Sequence, residues 1–192
     1  MKRSLTNIIK ILLFAVGFFF ALYFFMEWRE LGKFSVSLAS SQLERRGMRL
    51  NYSDVSSEEG GFTVNNMTLN GFASISFSSI TIKPKFINSI LSLGAVCDIS
   101  FKGGNVRLGQ NMNFGDGSFL LTADRKQIIL ENLRTNGDFS LNGYITFDLE
   151  TMKIGNSEAR FDIPEEFSRN MDTLRNFLPL TQDGGRWFLR RK

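Results

Sequence analysis

Residues 61–84 read GFTVNNMTLNGFASISFSSITIKP, and their apolar side chains return at every second position. Phe62 and Val64 alternate with Thr63 and Asn65. Met67 and Leu69 resume the alternation one residue out of phase. Ala73, Ile75 and Phe77 alternate with serines, and Ile80 and Ile82 with Thr81 and Lys83. A period of two sends successive side chains to opposite faces of a strand, so each run has one oily face and one polar face. Asn70-Gly71 separates the two runs, and Asn-Gly supplies the positive φ angles of a tight turn. The stretch predicts an antiparallel hairpin with one face on a core.

The pattern extends outward in both directions. Upstream, Met48, Leu50 and Tyr52 alternate with Arg49, Asn51 and Ser53, and Gly60-Gly61 marks a turn. Downstream, Lys83-Pro84 interrupts the meander, and Phe86, Ile87, Ile90, Leu91 and Leu93 form a short helical stripe closed by Gly94. Strand patterns resume at 95–101, 105–108, 118–123, 127–133, 139–149, 158–162 and 186–190, with 110–117 read as a polar loop. Pro164 opens a helix whose stripe is Phe167, Met171, Leu174 and Leu178. There is also an echo: residues 63–77, TVNNMTLNGFASISF, and 129–147, ILENLRTNGDFSLNGYITF, each place Asn before an apolar residue, then Asn-Gly, then an alternating strand. Two copies suggest a repeated hairpin, not a solenoid.

Residues 8–26, IIKILLFAVGFFFALYFFM, carry no charge after Lys10. A bilayer core takes roughly 20 helical residues, so a transmembrane helix over 8–28 is expected, after a cytoplasmic tip at 1–7. Lys2, Arg3 and Lys10 favour a cytoplasmic N-terminus, with Tyr23 and Trp28 at the outer interface. A cleaved signal peptide is the rival, but the apolar run is long and no A-x-A-like site follows it directly. Residues 29–47 read as an amphipathic linker helix with Leu31, Phe34, Leu38 and Leu43 on one side. Residues 48–192 are then an exported β domain.

The 192 residues include no histidine and one cysteine, with a net charge of +4. Without histidine, Ser-His and Cys-His nucleophile pairs are excluded, and zinc sites of His and Cys cannot be assembled. No phosphate-binding glycine motif occurs. Asp116, Asp124, Asp138 and Asp148 sit where turns need them. A nearly balanced middle gives nucleic-acid binding little support. No catalytic residue, cofactor or metal site is expected. Cys97, within an alternating apolar run, reads as a small buried hydrophobe.

Three stretches carry a resemblance: LERRGMRLNYSDV at 43–55, SISFSSITIKPKFINSILSLG at 74–94, and IILENLRTNGDFSLNGYITF at 128–147. With the anchor and the closing strand-helix-strand, the chain resembles type II secretion system protein N (GspN), a family related to AsmA-like periplasmic proteins. The resemblance implies a mainly β fold, in which an N-terminal transmembrane helix precedes a curved antiparallel sheet, an AsmA-like half-barrel, with two or three short amphipathic helices. It also implies a non-catalytic, single-pass inner-membrane accessory with a periplasmic β domain, partnered by other secretion-system membrane proteins. The alternative is a lipid-binding or lipid-transfer protein. Its apolar groove would be lined by Phe62, Val64, Ile75, Phe77, Ile80, Ile82, Phe101, Phe119, Leu121, Phe139, Leu141 and Phe147, unless these simply fill a core.

Overall fold

The computed structural model describes residues 14, 17, 21, 25–71, 73–108, 110–138, 140–151, 153–163, 175, 179–183 and 186–191. Most of the expected anchor and nearly all of the expected C-terminal helix at 164–178 lie outside them. Phe14, Gly17, Ala21 and Phe25 are helical. Among the described residues, no helix is long and apolar enough to cross a membrane.

Among the described residues, two bounded helices, α1 (Trp28–Glu44) and α2 (Phe86–Ser92), accompany twelve strands. These are β1 (Arg49–Asn51), β2 (Asp54–Glu58), β3 (Gly61–Asn70), β4 (Ser74–Pro84), β5 (Ala95–Leu108) and β6 (Gln110–Ala123). They continue as β7 (Gln127–Thr135), β8 (Ser140–Asp148), β9 (Lys153–Ile154), β10 (Ser157–Asp162), β11 (Leu180–Asp183) and β12 (Arg186–Arg191). All belong to one open antiparallel sheet, ordered β1-β3-β4-β5-β6-β7-β8-β10-β12-β11, with β2 beside β3 and β9 beside β8. Neighbours in sequence are mostly neighbours in space, because short Gly-, Asn- and Asp-bearing turns join antiparallel strands directly.

The Asn70-Gly71 turn closes the β3–β4 hairpin, with Asn70 opposite Ser74. The phase slip after Val64 has a physical basis. Asn66 holds a left-handed φ of 49° inside β3, which re-aims the strand so that Met67 and Phe77 stay on the apolar side. The echo repeats this device. Asn132 takes φ 54° in β7, four residues before Asn136-Gly137 as Asn66 is four before Asn70-Gly71. Gly103 (φ 60°) in β5, Gly115 (φ 66°) in β6 and Gly143 (φ 139°) in β8 carry the irregularity across the intervening and following strands. The pairing register shifts between β5 and β6, β6 and β7, and β7 and β8. Such bulges bend and twist a sheet, and this one is curved.

Several expectations change. The polar stretch 110–117 is strand, the first half of β6, where Met112 is buried opposite Val106. Residues 95–108 form one strand through Gly103-Gly104, and β11 had no sequence signal. At the end of α2 it is Leu93, not Gly94, that takes the left-handed turn, at φ 53°. Gly94 instead passes so close to β6 that a Cβ there would meet the Ala123 carbonyl oxygen at 2.6 Å.

Helix α1 ends as expected, with Gly47 at φ 74° and Met48 N–H donating to the Leu43 carbonyl at 3.0 Å. The side it buries differs in part, since Leu31 of the expected stripe does pack against the core. Trp28, Gly32 and Val36 are buried, at spacing i, i+4, i+8, whereas Phe34 and Leu38 are exposed. Gly32 is the contact point, since a Cβ there would lie 2.7 Å from the Phe62 ring and from Val55. Trp28 is buried with Val36, Val55, Phe62 and Val64 rather than left for an interface. A second cluster, Ala159, Leu180, Trp187 and Leu189, forms the core at the other end of the sheet.

Candidate functional site

Opposed residues in antiparallel strands share a face, so register alone maps the apolar side of the sheet. Val64 faces Ile80, and Ile80 faces Phe101. The next row runs Phe62, Ile82, Ile99, Phe119. Cys97, Leu121, Leu130 and Ile145 form another, and Ala123, Ile128 and Phe147 one more. Past β8 the face continues through Leu141, Phe161 and Trp187 into the second core cluster.

The expected groove residues divide into three groups on this face. Phe62 and Val64 are buried beneath α1 and serve the core. Phe77, Phe101 and Phe119 are joined by Phe114 in a ring cluster. Phe101 lies 5.2 Å from Phe77 and 5.5 Å from Phe114, both edge-on, and 6.5 Å from Phe119. Edge-to-face packing suits the ring quadrupole. Two glycines make room: a Cβ on Gly104 would strike Phe114, and one on Gly117 would strike Phe101. Ile80, Ile82, Leu121, Leu141 and Phe147 form the third group, half-buried along the middle strands and toward β10. Ile75 lies in a separate row between Leu69 and Val106. Phe139 lies outside the described residues. Phe114 was missed because it falls in the stretch read as loop, although Met112 and Phe114 already stood two apart.

Among the described residues the helices pack on β1–β3 and β5; on the middle strands Phe101 is buried, whereas Ile80, Ile82, Phe119, Leu121, Leu130 and Ile145 are only half-buried. A sheet face of this kind loses free energy to water at about 25 cal/mol per Å² of apolar surface until something covers it. The opposite face is polar. The Thr63 and Thr81 hydroxyls meet at 2.7 Å, Ser100 faces Ser118, and shallow depressions open beside Lys85, Asp98, Asn132 and Tyr144. Lys85 pairs with Asp98 at 2.9 Å and Lys83 with Glu58 at 3.9 Å, all partly exposed.

The titratable groups have structural explanations. Asp124 and Asp148 are held below the usual carboxylate range, Asp124 by the Lys126 and Gln127 backbone N–H groups and Asp148 chiefly by Thr151. Both cap turns as the sequence suggested. Burial, then the neighbouring Asp98, pushes the Cys97 thiol up. Among the described residues no three His, Cys, Asp or Glu side chains come together as a metal site.

A family model described as type II secretion system protein GspN-like, Synergistales, matches residues 6–191. The chain belongs to this GspN-like family. No curated protein and no solved structure matches it significantly. Membership of the GspN-like family associates the chain with type II secretion and its other components, and the matched region takes in α1, α2 and every described strand.

Proposed function

We propose that the chain is a non-catalytic accessory component of a type II secretion system, with a scaffolding role. In this reading residues 8–28 cross the bacterial inner membrane once, the N-terminus is cytoplasmic, and the β domain of 48–192 stands in the periplasm. Other secretion-system membrane proteins are its partners, and nucleic acid is not. The observation that carries the reading is the family match over nearly the whole chain. The uncharged apolar run before Glu27 and the basic N-terminal flank support the topology. Deleting the gene tests the role. Substrates of the secretion system should then accumulate in the periplasm, and unchanged export would overturn it.

A second reading rests on the half-exposed apolar face of the middle strands. There the sheet acts as an AsmA-like lipid-binding or lipid-transfer surface, with Ile82, Leu121 and Phe119 against acyl chains. Native mass spectrometry of the full chain released from mild detergent tests this reading. Bound lipid surviving detergent removal favours it, and a mass equal to the bare polypeptide removes it.

A further inference from the structure

Helix α2 is oily on its outside. Ile87 is 74% exposed, Ile90 57%, Leu91 80% and Leu93 91%. Scattered apolar residues on a surface are ordinary, but four within seven positions form a patch that calls for a partner. The inner side of α2 is already committed. Ser89 Oγ accepts a hydrogen bond from the Val96 N–H at 2.9 Å, and the Lys85 N–H donates to the Val96 carbonyl at 2.8 Å. These bonds fix the helix to the end of β5 and turn its apolar residues outward.

The location identifies the partner. The Phe86 ring lies 5.9 Å from the Trp28 ring, and Trp28 follows the apolar run of 11–26 by two residues. Phe25, at the end of that run, is 86% exposed. The oily patch of α2 therefore stands beside the point where the expected anchor joins the folded domain.

We propose, resting on the reading of 8–28 as a membrane anchor, that α2 lies in the outer interface of the same bilayer and forms a second membrane contact. Ile87, Leu91 and Leu93 enter the headgroup–acyl boundary, where interfacial amphipathic helices bury their apolar side about 5–10 Å deep. The two contacts, α2 and the anchor, fix the orientation of the sheet above the membrane, where a single flexible tether would let it swing. The flanking Lys83 and Lys85 are paired with Glu58 and Asp98, so apolar insertion rather than charge drives the docking, and zwitterionic lipid is sufficient.

The test uses the full chain reconstituted in phosphatidylcholine vesicles. An environment-sensitive fluorophore is attached through Leu91→Cys, with half-buried Cys97 retained and, in a repeat, replaced by Cys97→Ser. Nitroxide lipids labelled near the headgroup should remove roughly half or more of its fluorescence, and Ile87→Asp should abolish that quenching. A fluorophore at Gln182→Cys, on the far edge strand, should be unaffected. A companion probe at Ala15→Cys reports on the anchor through nitroxides at the bilayer centre. An unquenched Leu91 probe with a quenched Ala15 probe overturns the docking of α2 and leaves the anchor intact. An unquenched Ala15 probe overturns the anchor reading itself.

Discussion

Asn66 and Asn132 occupy left-handed backbone in the middle of strands, a conformation that asparagine tolerates and β-branched residues do not. Each lets an apolar alternation change phase without turning its side chains to the wrong face. The sequence carried this as a slip in period and as an echo between two hairpins. The reason for the slip was visible only in φ. Asn132→Val should cost about 1–2 kcal/mol, whereas Asn132→Gly should be nearly neutral; thermal unfolding in detergent distinguishes them, and equal losses would contradict the account. The alternating run around Cys97 makes it a buried hydrophobe, and the structure leaves it only half-buried. Its folded thiol gives up its proton at higher pH than the unfolded one, so it leaves stability unchanged below the ordinary value of 9.0 and lowers stability as pH rises past it. Iodoacetamide at about pH 8 should alkylate Cys97 more slowly in the folded chain than in the denatured one, since the thiolate is the nucleophile. Equal rates would mean that the thiol is not shielded.

Among the elements, α1 was legible as a helix but not in its orientation. Phe34 and Leu38 are large and dominate any reading of hydrophobic periodicity. Gly32 adds nothing to that pattern, yet it permits the closest approach to Phe62 and Val55. The buried side is chosen by fit to the sheet, which a single helix's sequence does not contain. Trp28→Ala should therefore destabilise by about 3–5 kcal/mol, and Gly32→Leu by about 1–3 kcal/mol through overpacking. Phe34→Ser should stay within about 0.5 kcal/mol. If denaturant unfolding ranked Phe34 above Trp28, the helix would be packed the other way round. Strand β6 was hidden for a different reason. Its first half is asparagine- and glycine-rich, and only pairing with β5, which buries Met112 and brings Phe114 to Phe77 and Phe101, identifies it as strand.

At the scale of the molecule, the described residues form one antiparallel sheet with a core at each end and, between them, an apolar face most of whose side chains are half-buried. The mainly β character was legible because hairpin pairing is local and turns such as Gly60-Gly61 and Asn70-Gly71 announce themselves, whereas Gly103-Gly104 and Asn142-Gly143 lie inside strands. Coverage of the face was not legible, because a half-buried and a buried strand share the same alternation. Leu121→Glu, in the middle of that face, should abolish lipid copurification under the lipid-binding reading. Unchanged lipid content would remove the face from consideration as a lipid site. Membership in a secretion family gives the molecule its context, and the central claim is that it works as a member of that apparatus. The direct measurement is affinity purification of the full chain, after gentle detergent extraction, from cells carrying an intact type II secretion system. The account predicts that inner-membrane platform proteins of that system co-elute with it in proportion. Recovery of the chain alone, with the platform still assembled in the same extract, would contradict it.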